Sequence, residues 1–118
     1  MLPYKRVDRV KKILHKTISK LLYELKEPNL GLVTITDIDL SDNLEDAKLF
    51  FSVIGDEIKI KETQSILDRN IGFIRLKLKH ELIIKKIPNI KFIFDDSYQR
   101  AQKVFAILDK LSKDERNI

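Results

Sequence analysis

The chain contains no cysteine. That excludes a disulfide scaffold, a thiol nucleophile and a zinc–thiolate site, and it fits a reducing cytoplasm. Glycine is almost as scarce, with three residues in 118, and none belongs to a Gly-rich loop of the kind that cradles nucleotide phosphates. The two histidines, His15 and His80, have no ligand-spaced partner and no evident nucleophile to serve. No apolar signal core opens the chain and no run approaches membrane-spanning length, so a soluble cytoplasmic protein without a membrane role is expected. No catalytic constellation, no metal site and no cofactor are expected either.

What the chain has in quantity is charge. Charged residues make up 35% and hydrophobic ones 43%, enough for one soluble domain with one core. The net charge of +5 is unevenly spread: residues 1–20 carry +6, 21–68 carry −7, 69–91 carry +6, and 92–118 balance. Two segments far apart in sequence therefore hold all the excess positive charge. A fold that joins them makes one face suited to a polyanion.

Periodicity gives the elements. Residues 5–27 predict an amphipathic helix, with Val7, Val10, Leu14, Ile18, Leu21 and Leu25 on one stripe. Lys5, Arg9, Lys12, Lys16 and Lys20 lie on another, and Pro28 and Gly31 stop the helix. "LVTITDIDL" (32–40) and "DAKLFFSVI" (46–54) predict an antiparallel hairpin through "SDNLE". Val33 and Ile35 share one parity while Ile38 and Leu40 share the other, so a bulge near Thr36–Asp37 is expected. Helices follow over 57–69 and 71–84, the second with Ile71, Ile74, Leu78 and Leu82 inward. Asn70 and Gly72 mark a kink between them.

"NIKFIFDD" (89–96) predicts a third strand, and 97–112 a last helix that buries Ala101, Val104, Leu108 and Leu111. Asp95 and Asp96 at that junction are expected to cap the helix. Residues 1–112 then form a single domain and 113–118 a short flexible tail. The fold class is α+β, a two-layer sandwich in the order α-β-β-α-kink-α-β plus a C-terminal helix, with a three-stranded sheet. The third strand is expected parallel to one hairpin strand through a right-handed crossover.

The candidate phosphate contacts are Lys5, Arg6, Arg9, Lys12 and Lys16 in the first helix. After the kink they are Arg69, Arg75, Lys77, Lys79, Lys85 and Lys86. Lysine and arginine hold phosphates by charge and hydrogen bonds, and a glycine at a helix start lets a nucleic-acid backbone come close. Tyr4, Phe50, Phe73 and Tyr98 are candidate platforms for unpaired bases, with a core position the stronger reading for Phe50 and Phe73.

The element order resembles the type II KH domain, a single-stranded nucleic-acid module that clamps the backbone with a GxxG loop between paired helices. That loop is missing here; Asn70-Ile71-Gly72 stands in its place. Five pieces, "RVDRV" (6–10), "EPNLGLVTIT" (27–36), "LSDNLEDAKLFFSV" (40–53), "IGFIRLKLKHEL" (71–82) and "IPNIKFIFDDS" (87–97), in this order and spacing, are similar to the ribosome-binding factor A family. The family replaces the KH clamp with a kinked helix pair around an Ala-x-Gly element. Asn70 stands at the Ala position and Gly72 is kept.

The resemblance implies a non-enzymatic bacterial assembly factor. Its partners would be the free 30S subunit and its precursors, contacted through 16S rRNA late in maturation. An association with cold adaptation and release by an assembly GTPase are implied as well. Nothing in the sequence demands a dimer, so a monomer is expected. Two other readings stay open on the residues alone: a generic KH-like single-stranded nucleic-acid module, and a protein adaptor working through the acidic hairpin.

Overall fold

The computed structural model describes residues 6–82 and 86–116. Seven elements follow in the order α1 (Arg6–Glu24), β1 (Val33–Leu40), β2 (Asp46–Val53), α2 (Glu57–Arg69), α3 (Ile71–Glu81), β3 (Asn89–Phe94) and α4 (Ser97–Arg116). They form the expected α+β arrangement with one three-stranded sheet in the order β1-β2-β3. β2 pairs antiparallel with β1 and parallel with β3.

The sheet turns one side to the helices. Ala47, Leu49, Phe51 and Val53 of β2 alternate inward, and Ile90 and Phe92 of β3 do the same. On β1 the register shifts between Ile35 and Asp37, so Thr36 is the extra residue of a bulge. The shift keeps Ile35, Ile38 and Leu40 on the buried side, although their parity changes. Phe51 meets Phe92 and Phe94 edge-on at 6.5 and 5.7 Å, an arrangement favoured by the aromatic quadrupole.

Local chemistry fixes the connections. In the hairpin turn the Ser41 amide donates to the Asp46 carbonyl at 2.9 Å, and the Ser41 hydroxyl accepts from the amides of Glu45 and Asp46 at 3.1 and 3.0 Å. Gly55 has φ +151°, and a Cβ there would lie 2.6 Å from the Lys59 side chain, so only glycine fits before α2. Asp56 then caps α2, its carboxylate accepting from the Lys59 amide at 2.9 Å. Pro28 ends α1 early: residues 25–27 leave the helix because a proline ring clashes with the fourth carbonyl before it.

Three expectations need correction. The helix expected over 71–84 ends at Glu81, with Leu82 already extended at φ −104° and ψ 136°. The last helix does not stop at 112 but runs to Arg116, into the stretch expected as a flexible tail. Its stripe is not buried: Val104, Leu108 and Leu111 are 54, 55 and 55% exposed, and Ala101 is exposed too. Beyond its first turn, α4 packs against no other element. The radius of gyration is 18.3 Å, against about 13 Å for a compact chain of this length, because α4 projects.

The two carboxylates at the β3–α4 junction do separate work. Asp95 accepts from the Ser97 hydroxyl and amide and from the Thr36 hydroxyl at 2.6 Å, tying α4 to the β1 bulge. The Asp96 carbonyl accepts the first α4 hydrogen bond, from Arg100, and its carboxylate pairs with the Arg100 guanidinium at 2.9 Å. The Ser97 hydroxyl above all, then Thr36 and the Ser97 amide, holds the Asp95 carboxyl down to about 2. A depressed folded-state value stabilises the protein above the ordinary carboxylate range, and that stability is lost as pH falls toward the folded value. Asp95→Asn therefore lowers the melting temperature by a few degrees at neutral pH. The gap between variant and parent is full above about pH 4 and closes toward pH 2 in thermal melts.

Candidate nucleic-acid interface

The position of the cations follows from how α1 and α3 pack. Leu14 and Ile18 of α1 and Ile74 and Leu78 of α3 have no exposed surface, and both helices lie on the same side of the sheet. One flank of α1 faces β1, where His15 Nε2 is 3.0 Å from the Ile35 carbonyl. At helical spacing the other flank carries the row Arg6, Arg9, Ile13, Lys16, Lys20 and Glu24. Glu24 of that row lines a groove of about 340 Å³ together with Leu21, Leu25, Lys26, Phe73 and Lys77. The cationic row of α1 thus flanks α3.

On α3, two flanks differ in use. Phe73 and Lys77 turn toward α1, and the Lys77 ammonium lies 5.6 Å from the centre of the Phe73 ring, a cation–π distance. Phe73 is 45% exposed and so is groove wall rather than core. Arg75 turns the other way. Its Nε and Nη2 donate to the carbonyls of Pro88 and Ile87, both at 3.2 Å, and the side chain is half-buried. Arg75 therefore holds the chain entering β3, a role that its reading as a phosphate contact did not include. Lys79 is exposed on the outward side of α3.

Other candidates are spoken for or lie elsewhere. Arg69 stands at the break beside Glu27, at 3.6 Å. Lys86 donates to Glu45 at 2.6 Å, which places it at the acidic hairpin turn; that hydrogen bond first, and the ammonium charge second, hold the Glu45 carboxyl below the ordinary range. Lys12 lies on the outer face of α1, exposed. Lys5 and Lys85, like Tyr4, lie outside the described residues. Tyr98 is 70% exposed and lines a separate cleft with Leu32, Ile54 and Phe94, and Phe50 is half-buried. The structure thus joins Arg6, Arg9 and Lys16 to Lys77, and adds Lys20 and Lys26. Lys26 follows the last turn of α1, where helical periodicity no longer reports facing.

The break itself belongs to Asn70. It is at once the last cap of α2 and the first of α3, at φ −98° and ψ 4°, a sparsely populated region that asparagine tolerates. Its side-chain amide donates to the Ile66 carbonyl at 2.7 Å and to Glu27 at 3.2 Å. The first is a second bond to a carbonyl that also accepts the Asn70 backbone amide, and the other ties the break to the segment after α1. Gly72 lies in the first turn of α3, exposed, and an added Cβ would meet nothing within 4 Å. The intramolecular fold does not need a glycine there. Among the described residues, no group of three His, Cys, Asp or Glu could hold a metal ion, and no helix is long and apolar enough to cross a membrane.

The two residues of the break respond oppositely to alanine. Asn70→Ala loses both amide bonds and destabilises by about 1 kcal/mol, while Gly72→Ala stabilises by about 0.5–1 kcal/mol through helix propensity. Urea titrations of the two variants read both signs.

The match to known proteins agrees with this geometry. The family model described as ribosome-binding factor A matches residues 6–108. A ribosome-binding factor A from Thermodesulfovibrio yellowstonii is 39% identical over 114 residues, 96% of either chain. One from Halothermothrix orenii is 34% identical over 113 residues, covering 95% of this chain and 93% of that one. Among solved structures, a Thermotoga maritima protein studied by NMR has a TM-score of 0.70 at 29% identity, covering 79% of this chain and 90% of that one. The crystal structure of ribosome-binding factor A from Thermus thermophilus has a TM-score of 0.67 at 16% identity, covering 75% and 93%, which speaks to fold alone. A further fold neighbour, with a TM-score of 0.65 at 16% identity and the same coverage, is a homology model of the Thermus thermophilus factor fitted into a cryo-EM map of a 30S–RbfA complex. By its family model and its relatives, the chain belongs to the ribosome-binding factor A family.

Proposed function

We propose that this protein is a non-enzymatic maturation factor of the small ribosomal subunit. It docks late in assembly on the 16S rRNA of free 30S subunits or their precursors, in the cytoplasm, and leaves before translation. The observation that carries the reading is the shared side of α1 and α3, where Arg6, Arg9, Lys16 and Lys20 flank the groove of Lys26, Phe73 and Lys77. Phosphate contacts of this kind position a protein on folded RNA without reading base edges. The half-exposed Phe73 ring beside the Lys77 ammonium offers a surface for one unpaired base. Gly72, with open space in front of it and no intramolecular role, leaves room for a phosphate backbone at the start of α3. Lys79 extends the positive surface outward from there. The complex named for the Thermus thermophilus fold neighbour, 30S with RbfA, supports the same partner. A role in cold adaptation and release by an assembly GTPase belong to the same proposal, by membership of the family.

The test uses charge reversal at positions without internal hydrogen bonds. Lys16→Glu combined with Lys77→Glu weakens co-sedimentation with free 30S subunits at least about tenfold and leaves the melting temperature unchanged. Lys48→Glu, exposed on the sheet face turned from the helices, serves as the control and leaves binding intact. Neutralising about six phosphates gives a slope of roughly −4 in log affinity against log salt for single strands, and steeper for duplex. Equal binding to arbitrary oligonucleotides, with no preference for free small subunits, would instead mark a generic KH-like module. Sucrose gradients of cell extract report the same choice, with the protein expected on free small subunits and absent from translating ribosomes.

A further inference from the structure

The groove between α1 and α3 holds one side chain that phosphate contact does not account for. Glu24 closes α1 and lines the groove with Leu21, Leu25, Lys26, Phe73 and Lys77. It is an acid on a cationic face, where it repels a phosphate. It also stands at the negative end of the α1 dipole, in a last turn that holds no basic residue. Both positions disfavour a carboxylate.

A counter-ion role would offset these costs, and the geometry does not supply one. Lys20 stands four residues before Glu24, the weaker order for an ion pair on a helix. Glu24 takes part in none of the ion pairs among the described residues, so its carboxylate keeps its accepting capacity. The rest of the groove suits a flat ring. Leu21 is buried and Leu25 half-buried, which makes part of the lining apolar. α1 supplies Glu24 to one wall, and α3 supplies the half-exposed Phe73 ring to the other. The volume, about 340 Å³, lies at the small end of ligand-sized cavities and suits one base more than a stacked run.

The donor and acceptor pattern selects the base. An ionised carboxylate only accepts hydrogen bonds. Guanine offers it two adjacent donors, N1–H and the N2 amine, on the edge left free when the base is unpaired. Adenine and cytosine set a ring acceptor beside their amine, and uracil flanks its N3–H with two carbonyls. Each of these turns a lone pair toward the carboxylate. We infer that the α1–α3 groove takes one unpaired guanine, stacked on Phe73, with Glu24 accepting from N1 and N2. Lys26 and Lys77 then hold the flanking phosphates. The inference rests on the docking reading and adds a base preference to it. Bonds to a charged acceptor are about twice as strong as neutral ones, so the matching base offsets the repulsion that Glu24 exerts on phosphate.

Fluorescence anisotropy of the full chain with labelled single-stranded RNA pentamers tests it. The pentamers carry guanine, inosine or adenine at the centre of a uridine run. The protein binds the guanine strand about tenfold more tightly than the adenine strand, with inosine, which lacks the N2 amine, between them. Glu24→Gln replaces one acceptor with a donor and so matches adenine, whose amine and N1 acceptor lie side by side. The order of guanine and adenine then reverses. Loss of charge alone cannot reverse it, because that tightens all three strands alike. Phe73→Ala weakens the guanine strand about tenfold through lost stacking, with thermal melts to show that the fold survives. A uniform gain in Glu24→Gln would overturn the inference by reducing Glu24 to a solvated charge. A guanine preference that survives this substitution would overturn it too, since recognition would lie elsewhere. Equal affinity of the unaltered chain for the three strands, with co-sedimentation still lost on reversing Lys16 and Lys77, overturns the base preference and leaves the docking reading in place. Co-sedimentation indifferent to that reversal overturns the docking reading and this inference with it.

Discussion

The seating of α1 on β1, and of α3 between α1 and β3, is the constraint from which the rest follows. Leu14, Ile18, Ile74 and Leu78 meet Leu49 and Phe51, and all six are wholly buried. Turning α1 by one residue position would rotate it about 100° and lift part of its stripe into water, at about 1.5–3 kcal/mol for each large side chain exposed. The core therefore sets the rotation of the helix, and the rotation decides which flank faces α3. The positive surface is a consequence of apolar packing. No attraction draws the two cationic segments together; they repel, and burial overrides the repulsion because exposed charges are screened by water and salt.

The break at Asn70 serves the same packing. A straight helix over residues 57–81 would run about 37 Å, past the ends of strands of at most eight residues, about 27 Å. Breaking it lets α2 cover β3 while α3 lies back beside α1. The sequence reads the break plainly, since Asn70 and Gly72 are poor helix residues placed between two periodic segments. It does not divide the labour between them. The division depends on the Ile66 carbonyl and on Glu27, 43 positions away, and only the assembled fold brings Glu27 within reach of the Asn70 amide.

Arg75 and Lys86 were legible as charges but not as partners. Charge counting treats each cation as available, and availability depends on what lies opposite. Ile87 precedes a proline, which holds it extended and removes one amide from the ladder next door. The carbonyls of Ile87 and Pro88 lie before the β3 ladder begins at Asn89, and the Arg75 guanidinium, with its planar fork of donors, reaches both. The bulge at Thr36 was legible for the opposite reason. A change of parity between Ile35 and Ile38 has only one local remedy if both side chains are to stay inside, and the strand adopts it.

α4 shows where periodicity stops informing. A 3-4-3 spacing says that a helix has an apolar face and says nothing about what covers it. The reading that buried this stripe in the domain assumed a vacancy in the core, and there is none. β1, β2 and β3 already have α1, α2 and α3 over their inner side, and Leu49, Phe51, Leu67, Ile74 and Leu78 leave no exposed surface for a fourth helix to claim. The polypeptide also leaves the sheet in a fixed direction, because Asp95 is bonded to Thr36 and to Ser97 at the start of α4. A helix launched outward from a completed core, and still patterned for burial, carries its information about a contact outside its own domain.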